Sequence, residues 1–255
     1  PFDTHEKVYQ YATSGYTNLP ATNGTYQIGT AAQLAAFATQ VNGGTNAVNA
    51  ELTADIDLSD VAWTPIGNDS KKYSGTFDGQ GHAIKGFSLT TANDDNKQGL
   101  FGTVNGATIK DFSIAGSIKV LSASVGVGVV AWAEASTIQN VHSSLVVNAN
   151  GSGLSNTHVG GVVGSLRKSG SGSTIDRCSF TGKMEGGSNK IDCFGCVVGY
   201  MKDYSTISNC ANYGTLTLTY SGKEGNIGGI LGYSYLTGSR ISNCLNIGVV
   251  TSKAE

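Results

Sequence analysis

Gly161-Val-Val-Gly164-Ser-Leu-Arg-Lys-Ser-Gly-Ser-Gly-Ser-Thr-Ile175-Asp-Arg-Cys178 decides the fold, because both ends of this stretch recur along the chain. The glycine-flanked aliphatic pair returns as Gly99-Leu-Phe-Gly102, Gly128-Val-Val-Ala131, Cys196-Val-Val-Gly199 and Gly229-Ile-Leu-Gly232. In chain order the last positions of the five copies are 29, 33, 35 and 33 residues apart. The isoleucine anchor returns as Ile109, Ile138, Ile207 and Ile241. Three residues beyond each anchor stand Phe112, Val141, Cys178, Cys210 and Cys244, and nine beyond stand Ile118, Val147, Met184, Leu216 and Val250. These offsets hold while the insert before the isoleucine varies, so the insert is a loop and the remainder a shared backbone.

A period near 33 residues would also suit ankyrin or tetratricopeptide units, but those need two helices per repeat. Here the constant segments are short, β-branched and punctuated by Gly, Asn and Ser, which reads as three short strands joined by turns. Stacking such units at about 4.8 Å places equivalent side chains in one continuous core, the arrangement of a parallel β-helix. The glycines are expected to supply positive φ and close backbone approach at the corners.

Upstream, Gly75-Thr-Phe77-Asp-Gly79 and Ile84-x-x-Phe87-x-Leu89 read as an earlier coil, with Phe77 matched to Phe101 and Ile84 to Ile109. Leu52 to Leu58 alternates apolar and polar and reads as a further strand, for six or seven coils in all. Thr30-x-x-Gln33 is a capping box, and Leu34, Phe37, Ala38 and Val41 share one helical face before Asn42-Gly43-Gly44. This α-helix is assigned to closing the N-terminal end, since an open solenoid end exposes core and strand edges. The domain organisation is then an N-terminal extension over 1–23 and an all-β, parallel β-helix domain over 24–255. Within that domain, 24–98 hold the capping helix and first coils, and 99–255 hold the five repeats. No comparable cap follows Val250, so end-to-end contact through the last coil, or continuation of the parent chain, is expected there.

Composition agrees with this architecture. Of 255 residues only 13% are charged, 36 are Gly and 3 are Pro, which argues against helical bundles, collagen and disordered linkers. The net charge is −2 and no basic cluster exceeds Lys71-Lys72 or Arg167-Lys168, so nucleic acid is not expected as a partner. The longest apolar and glycine run, Val125 to Ala133, is about half the ~18 residues of a membrane span. A chain that begins with Pro is expected to have been processed or trimmed.

Several stretches resemble bacterial surface and secreted proteins that carry the GLUG repeat, found in gut Bacteroidetes and Firmicutes and including Bacteroides. They are Tyr26-Gln-Ile-Gly-Thr-Ala-Ala-Gln-Leu34, Ala62-Trp-Thr-Pro-Ile-Gly67, Gly75-Thr-Phe-Asp-Gly-Gln-Gly-His-Ala-Ile84, Gly99-Leu-Phe-Gly102 and Ile207-Ser-Asn-Cys-Ala-Asn-Tyr-Gly214. The resemblance implies a right-handed β-helix and a secreted or cell-surface location, with any signal or lipid anchor removed. Related repeats lie near the N-terminus of zinc metallopeptidases similar to the immunoglobulin A1 proteases. It implies no single activity.

Peptidase zinc chemistry needs His-Glu-x-x-His, but the one His-Glu, at His5-Glu6, has Tyr9 where the second His belongs. No metal site and no cofactor is therefore expected. Cys178, Cys210 and Cys244 read as a ladder of small buried side chains, the alternative being disulfide or metal binding together with Cys193 and Cys196. Asp55 and Asp57 are spaced for glycoside hydrolysis but read as ordinary outward residues. The positions beside the isoleucine anchors (Lys110-Asp111, Gln139-Asn140, Asp176-Arg177, Ser208-Asn209, Ser242-Asn243) form no acidic ladder. Asn93-Asp94-Asp95-Asn96 reads as a polar turn, with calcium binding as the alternative.

The most suggestive surface feature is aromatic. Directly after the glycine anchor come Thr103, Trp132, Ser165, Tyr200 and Tyr233, with Tyr204 and Tyr235 in the adjoining inserts. Rings with polar tips suit glycans or host proteins, so Trp132, Tyr200, Tyr204, Tyr233 and Tyr235 are the candidate ligand-binding residues; a purely structural stack is the other reading. The expected function is a non-catalytic binding or adhesion module. The alternatives are a carbohydrate-active β-helix enzyme and a structural or accessory domain of a larger surface protein.

Overall fold

The computed structural model describes residues 19–90, 96–120, 126–150, 157–167, 169–187, 193–220, 225–235 and 238–254. The His5-Glu6 stretch and most of Asn93–Asn96 lie outside these residues. The chain is a parallel β-solenoid with three faces: a 17-stranded sheet and two five-stranded sheets.

The register follows the sequence offsets. Ile109, Ile138, Ile175, Ile207 and Ile241 are successive partners in the long sheet, and so are Ile118, Val147, Met184, Leu216 and Val250. Phe112 pairs with Val141, and the Cys178 backbone N–H donates to Cys210 Sγ at 3.4 Å in the next coil. Between the two anchors a left-handed residue turns each coil: Asp111, Asn140, Arg177, Asn209 and Asn243 have φ of 60, 51, 51, 54 and 52°. Asn and Asp tolerate this conformation because their short side chains bond locally. Asn140 Nδ2 donates to Asp111 Oδ1 at 2.8 Å, and Asn209 Nδ2 to Asp176 Oδ1 at 2.7 Å.

Two expectations are corrected. Phe77 pairs with Ile109, not with Phe101, while Ile84 pairs with Ile114 and Leu89 with Ile118 across a register shift. Residues 49–90 feed the long sheet, and their strand pairing with the second short sheet among the described residues is limited to the isolated bridges Ile66–Phe101 and Tyr73–Val104. That leaves about five complete turns instead of six or seven. Both expected uses of glycine occur: Gly106, Gly170 and Gly238 in the inserts take φ of 70, 77 and 80°, whereas the anchor glycines do not take positive φ. Glycine is needed here for close approach, since a Cβ on Gly160 would sit 1.9 Å from the Val163 carbonyl oxygen and one on Gly199 2.7 Å from Val159 N.

The two ends differ. Helix Ala31–Asn42 buries Leu34, Phe37, Ala38 and Val41. Its N-terminus is capped by Thr30 Oγ1, which accepts from Gln33 N at 3.2 Å, while Gln33 Oε1 accepts from Gly29 N at 2.8 Å. Phe37 meets Tyr26, Tyr73 and Phe77 edge-on or tilted, and Phe77 meets Phe101 and Phe112. In the last coil Ile241, on the ladder where Ile207 is fully buried, is 46% exposed, and Leu245, Ile247 and Val249 are exposed beside it.

Candidate functional site

The second short sheet positions the aromatic residues. Thr103, Trp132, Ser165, Tyr200 and Tyr233 form one column in register. Their neighbours Val104, Ala133, Leu166 and Met201 are buried in the core, so strand alternation turns this column outward. Two residues further on, and on the same side, Asn105, Glu134 and Arg167 are partners, as are Lys202 and Tyr235.

The first short sheet folds back against this face. His158, on strand His158–Gly160, stacks on Tyr200 with ring centroids 4.4 Å apart and planes at 23°. Side chains of two sheets meet on the outside only where the sheets enclose a re-entrant corner. Thr103, Ser165 and His158 are accordingly buried although they leave the main core. The close glycine contacts at the vertex let the two backbones approach.

Cations separate the rings along this cleft. Lys97 Nζ lies 5.0 Å from the Trp132 ring, and the Arg167 guanidinium lies 4.5 Å from Trp132 and 4.3 Å from Tyr200. Arg167 Nε also donates to Ser165 Oγ at 3.0 Å. Tyr233 follows Tyr200 at 5.9 Å, Tyr235 follows Tyr233 at 6.4 Å, and Lys202 Nζ lies 5.8 Å from the Tyr235 ring. Contacts of this kind stabilise by about 0.5–2 kcal/mol each. Burial pushes the Arg167 pKa down and the Tyr200 pKa up. At the entrance to the cleft Glu134 accepts from Lys72 and from Trp132 Nε1 at 2.8 and 2.9 Å. Burial works against the charge of Asp69, but hydrogen bonds from Lys97 and Thr103 outweigh it and hold its pKa low.

Of the five candidates, Trp132, Tyr200, Tyr233 and Tyr235 come together. Tyr204 sits apart, in a left-handed turn with its ring over Gly238 of the next coil. Lys97, His158, Arg167 and Lys202 were not foreseen. Arg167 and Lys202 carried a readable signal, the constant offset of two residues from the aromatic column.

The remaining candidates occupy ordinary places. Asp55 accepts from Ala83 N and Lys85 Nζ, and Asp57 from Ser59, and these contacts lower both pKa values. All five thiols are free; burial raises the Cys178 pKa and pushes Cys196 up to about 12. Among the described residues no three His, Cys, Asp or Glu side chains cluster as a metal site, and no helix is long and apolar enough to cross a membrane.

No family model matches the chain, and no curated protein matches it in sequence. Solved structures do match in fold. One is the crystal structure of a "putative immunoglobulin A1 protease from Bacteroides ovatus", with 18% identity, a TM-score of 0.59, and coverage of 92% of this chain and 85% of that one. Another, named IgA1 Protease, has 16% identity and a TM-score of 0.49, covering 88% of this chain and 20% of that one. At these identities the likeness concerns the fold.

Proposed function

We propose that this domain is a non-catalytic binding or adhesion module of a secreted or cell-surface protein of the GLUG-repeat type, recognising a glycan or a host-protein surface. The observation that carries this reading is the end of the aromatic column. Trp132 and Tyr200 have Arg167 against their rings, whereas Tyr233 is exposed, as is Tyr235, which has Lys202 Nζ 5.8 Å from its ring. Together Tyr233 and Tyr235 offer exposed, stacked ring surface edged with hydroxyls, the chemistry suited to a sugar ring or a protein side chain. Hydrogen bonds hold the carboxyls of Asp55, Asp57, Asp69, Asp111 and Asp176 below their ordinary value. A general acid in glycoside hydrolysis needs the opposite.

The test is a glycan and host-protein array probed with wild type, Tyr233→Ala and Tyr200→Ala/Tyr233→Ala. Signal should fall at least tenfold in both variants; equal signal from all three proteins would remove the aromatic platform as the binding element. The fold shared with the Bacteroides ovatus chain supports a second reading, an accessory domain of a larger surface protein similar to the immunoglobulin A1 proteases. The sequence of the full-length gene product tests it, and a His-Glu-x-x-His domain on the same polypeptide is the expected result.

A further inference from the structure

The outer column of the cleft sets two cations side by side. Leu166 pairs with Met201, so Arg167 and Lys202, one residue further along parallel strands, stand opposite each other at the strand spacing of about 4.8 Å. Like charges in this relation repel. Several other cations meet carboxylates: Lys85 with Asp55, Lys97 with Asp69, Lys110 with Asp78 and Asp111, Arg177 with Asp176, and Lys183 with Glu185. Among the described residues no carboxylate lies within ion-pair distance of Arg167 or Lys202. The adjacent Glu134 is engaged by Lys72 and Trp132. The rings of Trp132, Tyr200 and Tyr235 hold the two cations in place without neutralising them. Two cations held by rings beside the exposed Tyr233 and Tyr235 offer a place for the negative charge of a ligand.

We infer that Arg167 and Lys202 together receive an anionic group, carboxylate or sulfate, borne by a glycan whose sugar rings lie on Tyr233 and Tyr235. The guanidinium supplies paired donors for such a group and the ammonium a second positive charge. The exposed rings beside them favour a sugar-bearing ligand over an acidic peptide, whose carboxylates need no aromatic contact. This inference rests on the binding reading above and names the chemistry of its ligand.

Isothermal titration with four probes tests it: oligogalacturonate, which carries only carboxylates; sulfated dextran, which carries only sulfates; neutral dextran; and poly-glutamate. At least one anionic glycan should bind ten or more times tighter than neutral dextran and weaken as salt rises from 50 to 300 mM, and the preferred arm distinguishes carboxylate from sulfate. Lys202→Gln should weaken that binding about tenfold and flatten its salt dependence. Arg167→Gln should do the same; because Arg167 is half-buried, Lys202→Gln is the variant whose fold is least in question. Equal binding of neutral and anionic dextran, or no effect of Lys202→Gln, would overturn the inference and leave the aromatic platform standing. Poly-glutamate binding as tightly as either anionic glycan would overturn the glycan assignment. Failure of all four probes, with an array signal that still depends on Tyr233, would overturn the anion site alone; loss of the array signal would remove the binding reading as well.

Discussion

The first and last coils are built from the same repeat logic and end in opposite ways. At the N-terminal end a capped helix lays Phe37 onto Tyr73 and Phe77, and the aromatic cluster runs on through Phe101 to Phe112. In the last coil the same core ladder reaches Ile241 at 46% exposure, where Ile207 one coil earlier has none. A solenoid side chain is buried by the coil on each side of it, so the ladder position of a residue says which neighbours it has, and the coil number says whether both are present. Stability is therefore expected to be graded along the axis, as for other quasi-one-dimensional repeats.

The largest expected break in this gradient is Phe77→Ala. It removes a fully buried ring that touches three other aromatics and should cost about 3–5 kcal/mol in urea unfolding. Ile241→Ala, on the same ladder, should cost under about 1 kcal/mol because little of its surface is withdrawn from water. Equal costs would contradict a graded core. Thr30→Ala should cost about 1 kcal/mol by releasing the Gln33 N–H at the helix start.

Acid should act on the coils before the last. Hydrogen bonds from Asn140 to Asp111 and from Asn209 to Asp176 hold these carboxyls below the ordinary value of 3.8. Because the folded pKa lies below the unfolded one, the stabilisation is complete above about pH 3.8 and is lost as pH falls through the lower folded values. Hydrogen exchange at pH 5 and pH 2.5 should show protection falling in the strands next to residues 111 and 176. The smallest effect is expected from Ile247→Lys, at an exposed position of the last coil, which should move the midpoint by no more than about 0.5 kcal/mol.

Much of the fold was legible because a solenoid writes its register into the sequence as constant offsets. The +9 positions after each isoleucine became partners, as did Phe112 and Val141 at +3, and the capping box became a capped helix. The coil at residues 75–89 was misaligned because two apolar alternations fit the same pattern, and a register shift after Ile84 decided between them. One internal ladder was overlooked although its offset is equally constant. Two residues before the three middle anchors, Ser136, Ser173 and Ser205 bond from coil to coil: Ser136 N donates to Ser173 Oγ at 3.2 Å, and Ser173 N to Ser205 Oγ at 3.1 Å. The cleft was illegible for a different reason. The candidate rings could be aligned from the repeat, but the contact of His158 with Tyr200 joins two sheets of different coils, and only the closing of the glycine vertex brings them together.

The helical cap has a consequence for how the molecule comes into being. A polypeptide is made from its N-terminus, so the helix and the aromatic cluster emerge from the ribosome before any regular coil does. Each later segment then finds a completed strand edge to pair with and a row of apolar side chains to cover, so the loop it must close spans one repeat and not the whole domain. Synthesis would thus lay the coils down in order on a surface already formed, and an error in one repeat would compromise those after it more than those before.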